Sequence, residues 1–199
     1  MPYKVLRGRI EPLSYSNEEV MQRLERDGIK FLDLQFTGLF GRFHHTTIAS
    51  NTFRIEDFDD GLPKLDGSSI KGFTEIQESD LIIRPDSSTY ATIPWIEEYP
   101  TARLICDILS GGSARKSYPK DPRAIARKAE KHVKGHGYEV SNWGPEVEFF
   151  VFDKLSVNTL TASRGQSYEI TSREAPWSTD NVGYALRLKE GYLPSAPGD

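Results

Sequence analysis

Cysteine is nearly missing: Cys106 stands alone among 199 residues, which excludes an intramolecular disulfide framework. Long apolar runs are missing as well. No stretch approaches the roughly 18 to 20 residues that a membrane-spanning helix needs, and charge is spread through the first 30 residues, so no secretory signal is visible. Positive charge is in short supply: 25 Lys and Arg against 29 Asp and Glu leave a net charge of −4, which gives no reason to expect nucleic acid or an anionic membrane as partner. No internal repeat appears. The 37% hydrophobic and 27% charged content is that of a soluble globular chain, long enough for one or two domains with a real core, and the simplest compartment is the cytoplasm. Alternation puts Cys106 on the face of Ala102, Leu104 and Ile108, which makes it a buried structural thiol rather than a nucleophile.

The local signals describe a strand-rich module with one leading helix. Ser16 and Glu19 form a capping box, and the spacing of Val20, Met21 and Leu24 predicts a helix over 17–27 that Gly28 stops. Leu32, Leu34 and Phe36 alternate with Asp33, Gln35 and Thr37, and Gly38 to Gly41 can turn this strand (29–37) into another at 42–49, a hairpin. His44 and His45 are neighbours on the second strand and so face opposite ways, which makes them poor ligands of one metal. A short acidic helix is expected over 51–61. Further strands are expected at 81–84, 89–95 and 103–109, with turns at Pro85-Asp-Ser-Ser and Glu97-Glu-Tyr-Pro. The Gly/Ser-rich stretch from Ser110 to Pro119 reads as a boundary. Beyond it, Asp121 and Pro122 open a helix with Ala124, Ile125, Ala129 and Val133 at helical spacing, ended by Gly135 and Gly137. Its His132 and His136 are four apart, a metal-pair spacing, but cations near a helix C-terminus are favourable in any case. A loop is expected over 154–172, with a short strand at 167–171.

Two stretches carry candidate chemistry. In Asn142 to Asp153, Gly144-Pro145 leads into Glu146-Val-Glu148-Phe-Phe-Val-Phe, which predicts a largely buried strand. Glu146 and Glu148 then share a face, with Cα atoms roughly 6.5 to 7 Å apart at about 3.3 Å per residue. Two acids on an apolar strand repel and desolvate unless a cation compensates them or water reaches them, and a hard divalent ion prefers oxygen ligands. Taken alone the motif is weak, and the pair reads first as two solvated glutamates at a strand mouth. The second stretch is Leu65-Asp66-Gly67-Ser68-Ser69, followed by Glu78-Ser79-Asp80. Its glycines allow close backbone approach and its serines offer hydroxyls, while Asp66 suits an Asx turn that caps its own loop.

Together these two stretches resemble glutamine synthetase of the prokaryotic type. Leu65 to Ser69 with Glu78-Ser79-Asp80 looks like the family's amino-terminal signature, and Gly144-Pro-Glu-Val-Glu-Phe-Phe150 looks like its Gly-Pro-Glu-x-Glu-Phe strand. Gln35-Phe-Thr with His45, Arg84-Pro-Asp-Ser-Ser-Thr, Ala102-Arg, Asp107 and Arg173-Glu-Ala-Pro-Trp fall in family-like order. Gly38, Leu65, Ser195 and Gly198 depart from the family pattern without removing a side chain that the chemistry needs. The resemblance implies an α+β fold, with a β-grasp-like domain over 1–112 and the start of the α/β catalytic domain over 119–199. It implies ATP-dependent ligation of ammonium to L-glutamate through γ-glutamyl phosphate, with Mg²⁺ or Mn²⁺. Glu148 would hold the ion nearest glutamate, and Glu146 the ion that bridges the ATP phosphates. Asp66 would act as the catalytic residue of the ammonium pocket, in a loop shared with Ser69. It further implies a homo-oligomer, a double-ring dodecamer with sites between subunits. The family's nucleotide residues and remaining metal ligands match positions beyond Asp199, so a chain of this extent is expected to be inactive alone. The alternatives are a non-catalytic homologue serving as an assembly or regulatory subunit, and a γ-glutamyl ligase for another amine.

Overall fold

The computed structural model describes residues 3–6, 9–12, 14–75, 80–112, 115–149, 151–158 and 167–172. The chain forms two compact units, residues 1–141 and 142–199. The first opens with a small antiparallel pair, β1 (Tyr3–Leu6) and β2 (Arg9–Pro12), which no sequence pattern had indicated. Helix α1 (Asn17–Arg26) follows with its capping box formed in both directions: Glu19 N–H donates to Ser16 Oγ at 3.2 Å and Ser16 N–H to Glu19 Oε2 at 2.8 Å. Gly28, at φ +63°, lets the chain leave the helix where a side chain would be strained.

The expected hairpin is present as β3 (Phe31–Thr37) and β4 (Phe43–Ala49), antiparallel and joined through Gly38–Gly41. The expected acidic helix over 51–61 is not continuous. It divides into a 3-10 turn at Ser50–Thr52 and a single helical turn, α2 (Asp57–Asp60). Phe53 and Phe58 are both buried and meet edge to face at 5.0 Å. Five residues apart, they would lie on different sides of one helix, so bringing both to the core breaks it.

Strand β5 (Leu62–Asp66) pairs with β6 (Asp80–Thr92), and β6 pairs with β7 (Thr101–Ser110). The two strands expected at 81–84 and 89–95 are thus one strand. Pro85 pairs within it, opposite Cys106, and the Asp-Ser-Ser stretch is a bulge where Asp86 faces Ile105 and Ala91 faces Arg103. Ser88 N–H and Oγ–H both donate to Asp86 Oδ1, and Thr89 Oγ1 accepts from Ile105 N–H at 2.8 Å. Side chains thus occupy the gap the bulge leaves in the ladder.

The sheet order is β4-β3-β7-β6-β5, with β3 and β7 parallel and the other pairs antiparallel. Its inner face carries Leu32 and Leu34 of β3, Ile83 of β6 and Ala102, Leu104 and Ile108 of β7, each at 0% exposure, with Val20 of α1 at 0% and Cys106 at 1%. This is the buried thiol the alternation predicts, and burial pushes the Cys106 thiol well above its ordinary range.

Helix α3 (Pro122–Gly135) is capped by Asp121 and belongs to the first unit. Asp121, only 1% exposed, accepts from Arg123 N–H with Oδ1 and from Ile108 N–H of β7 with Oδ2. Arg123 and Arg127 then reach Asp86 of β6 and Asp107 of β7, and Arg84 also donates to Asp107 at 3.2 Å. The helix is therefore held by charge. No α3 residue is buried, and Ile125 stands 50% exposed, so the apolar stripe read in the sequence is not covered.

The second unit departs most from the sequence reading. Glu146 to Phe149 form no strand, and Val147 and Phe149 are 81% and 77% exposed. A strand needs a neighbour to satisfy its backbone groups, and among the described residues no ladder partner lies beside this segment. The short strand at 167–171 does form, as β9 (Ser167–Thr171), but it pairs antiparallel with a second strand, β8 (Lys154–Asn158), where the sequence predicts loop. Among the described residues no helix is long and apolar enough to cross a membrane.

Candidate active site

Asp66 ends β5 and caps the 3-10 turn Gly67–Ser69 that follows. Ser68 donates to Asp66 Oδ1 through its N–H at 2.9 Å and its hydroxyl at 2.7 Å, and Ser69 Oγ donates to Oδ2 at 2.9 Å. This is the Asx turn that the residue types suggested, and the carboxylate remains exposed above it. The hydroxyls of Ser68 and Ser69, then the Ser68 N–H, hold the Asp66 carboxyl below the ordinary value of 3.8. The result is a fixed negative charge facing solvent, held by three donors that the loop itself supplies.

The turn needs a glycine at its first position. A Cβ on Gly67 would lie 2.7 Å from Leu81 Cδ1 and 2.8 Å from Thr74 Oγ1, because the loop backbone presses against the end of β6. Register pairing sets Asp66 opposite Asp80, and both line a groove of about 580 Å³ with Lys64, Leu81 and Gly111. A larger concavity of about 760 Å³ lies between α1 and the starts of β3 and β4's exit, lined by Met21, Leu24, Phe31 and Phe53. It holds none of the residues to which the sequence assigns chemistry, so the smaller groove beside Asp66 is the better candidate. Glu78 and Ser79, the rest of that motif, lie outside the described residues.

The far end of the Asp66 loop is held by the segment that precedes α3, a role the sequence had not disclosed. Tyr118 donates its hydroxyl to Phe73 O at 2.6 Å, and Lys120 Nζ donates to Gly72 O at 2.8 Å and to Phe73 O at 2.5 Å. On the other side, Leu39 and Phe40 of the β3–β4 turn close on Gly72, which adopts φ +83°, and Lys71 Nζ sits 5.2 Å from the Phe40 ring centroid. Tyr118 and Lys120 read in sequence only as part of a boundary, because the carbonyls they bind lie more than 40 residues earlier.

The glutamate pair sits in the second unit. Glu146 and Glu148 are exposed and belong to no strand, so the shared strand face is not present. Their oxygen chemistry suits a hard divalent ion, but two carboxylates supply only part of the roughly six donors such an ion takes. Among the described residues no group of three or more His, Cys, Asp or Glu is arranged to hold a metal. His45 Nδ1 lies 3.1 Å from Asp33 Oδ2 on one sheet face, while His44 stacks on Phe36. His136 Nδ1 lies 2.9 Å from its own helix's His132 carbonyl.

Comparison with known proteins bears on the same residues. The profile for the β-grasp domain of glutamine synthetase matches residues 28–111, and that for the glutamine synthetase catalytic domain matches residues 119–199. A glutamine synthetase of Sulfolobus acidocaldarius is 47% identical over 187 residues, covering 94% of this chain and 38% of the relative. One from Aquifex aeolicus is 37% identical over 188 residues, covering 93% of this chain and 39% of the relative. A cryo-EM structure of Plasmodium falciparum glutamine synthetase superposes with a TM-score of 0.58 at 22% identity, over 82% of this chain and 31% of that one. The chain thus spans 38 to 39% of the length of these curated relatives.

Proposed function

The chain belongs to the glutamine synthetase family, and from that premise we propose that it forms the amino-terminal part of an ATP-dependent glutamate–ammonia ligase. In this reaction ATP phosphorylates the side-chain carboxylate of L-glutamate, and ammonia displaces phosphate from the γ-glutamyl phosphate. The observation that carries the reading is the Asp66 carboxylate, kept ionised and exposed by Ser68 and Ser69. A fixed anion at a groove favours a cation such as NH₄⁺ over a neutral amine and can accept a proton as ammonia attacks. Ser69 is the second residue of this ammonium loop.

The division of labour we propose is a β-grasp domain over 1–112 and the start of the catalytic domain over 119–199. Glu146 and Glu148 would contribute carboxylate ligands to divalent ions, Mg²⁺ or Mn²⁺. Such ions, when bound, neutralise charge on the transferring phosphoryl group. The rest of each ligand set and the nucleotide contacts come from elsewhere in the complete protein. The reading includes a cytoplasmic ring oligomer, a double-ring dodecamer in which the Asp66 loop of one subunit serves the site of its neighbour.

Phosphoryl transfer depends on ions and cationic groups placed around the γ-phosphate, each contributing orders of magnitude in rate. We expect the purified 199-residue chain to form no glutamine from ATP, glutamate and NH₄⁺. In the same preparation, calorimetric titration with Mg²⁺ should show weak binding that Glu146→Ala/Glu148→Ala removes. Robust glutamine formation by the chain, or equal Mg²⁺ affinity with and without the two glutamates, would overturn these assignments.

A further inference from the structure

We propose that Tyr118 and Lys120 are positioning residues for the Asp66 loop, so that the segment leading into α3 sets the geometry of the ammonium-binding turn. The Asp66 loop is held at its start, where Asp66 accepts from Ser68 and Ser69 and Gly67 lies against Leu81 and Thr74, and its far end carries Gly72 against Leu39 and Phe40 and the buried Phe73 ring. Toward Phe73, Ile70 N–H donates to Gly67 O at 3.2 Å and Phe73 N–H to Ile70 O at 3.0 Å. Neither fixes the carbonyls at the end of the loop.

Those carbonyls are taken by residues about 45 positions later. Tyr118 Oη–H and Lys120 Nζ converge on Phe73 O, and Lys120 also reaches Gly72 O. Bonds from a charged donor to a carbonyl are among the stronger ones. Tyr118 and Lys120 cannot move independently of the sheet. Tyr118 N–H donates to Ile108 O at 2.9 Å, Ser117 bridges Leu109, and Asp121 accepts from Ile108 N–H. The loop end is thereby referenced to β7 and to the α3 N-terminus, and a shift of α3 would reach the Asp66 turn through the loop backbone that runs from Phe73 back to Asp66. Nothing in the charge of Asp66 or in the sheet alone produces that coupling.

The naming of ammonium rests on the reading above, whereas the clamp does not, and one set of measurements separates the two. Amide hydrogen exchange would be compared for the wild-type chain, Tyr118→Phe/Lys120→Met and Tyr118→Phe/Lys120→Arg. We expect exchange at the Ile70 and Phe73 amides to rise roughly tenfold in the Met variant. The amides of β7 should keep their rates, and the Arg variant should recover most of the protection. Unchanged protection at Ile70 and Phe73, or a uniform rise across β6 and β7, would overturn the proposal. The ammonium assignment is read separately, from shifts of the Ser68 and Ser69 amides on titration with NH₄Cl against NaCl. Shifts specific to NH₄⁺ that Asp66→Asn abolishes support it. Identical responses to both salts would overturn it and leave the exchange result to decide the clamp.

Discussion

At the scale of single residues, Asp66 shows how a loop can make its own charged centre. Three donors from Ser68 and Ser69 lower its folded pKa below 3.8, the ordinary value taken for the unfolded chain. The stabilisation by these bonds is therefore fully present above the unfolded value and lost as pH falls through the depressed folded one. A carboxyl titration followed by NMR should place the Asp66 midpoint below 3.8, and Ser68→Ala/Ser69→Ala should move it back toward that value. A midpoint unchanged by the double substitution would mean that the hydroxyls do not set the charge.

At the scale of elements, the telling case is α3, a helix with an apolar stripe that is attached through its charged side. Asp107 accepts from Arg84, Arg123 and Arg127, and its side chain is only 9% exposed, against 24 to 48% for the three arginines. Removing it leaves cations without their shared partner, yet solvent reaches those arginines and softens the loss. Asp107→Ala should cost about 2 kcal/mol in urea unfolding. Ile125→Ala, on the uncovered stripe, should stay within about 0.5 kcal/mol. The reverse order would show that apolar packing, not charge, holds the helix. Asp86 adds a pH dependence. Burial raises its pKa, but hydrogen bonds from Ser88 and Arg123 outweigh this and leave it lowered, so the ion cluster weakens as pH falls below 3.8.

At the scale of the whole molecule, stability is unevenly distributed between the two units. The first has a single apolar core around the inner face of its sheet, whereas 142–149 carries Trp143, Val147 and Phe149 at 86%, 81% and 77% exposure. Proteases cut exposed backbone that lies outside ladders and helices. Chymotrypsin under native conditions should cut first near Trp143 and Phe149, leaving fragments that contain 31–110 intact on mass spectrometry. Early cuts inside β3, β6 or β7 would contradict the core described here.

Much of the first unit was legible in the sequence because its signals are local. Ser16-x-x-Glu19 writes a helix start, Leu32-x-Leu34-x-Phe36 writes a one-sided strand, and Asp121-Pro122 writes another helix start, each decided by residues within one or two turns. The Asx turn at Asp66 and the buried Cys106 follow from equally short rules, spacing and alternation. Tertiary structure decided whatever depends on a distant partner. The bulged β6 stays one strand because β7 pairs with it on both sides of Pro85. The 51–61 helix breaks because Phe53 and Phe58 must both reach the core. Glu146 and Glu148 share no strand face, since strand propensity does not form a strand without a neighbour to take its hydrogen bonds. Tyr118 and Lys120 gained their roles from carbonyls at Gly72 and Phe73, contacts that no local pattern records, because a hydrogen bond between residues 45 apart exists only once the sheet has brought them together.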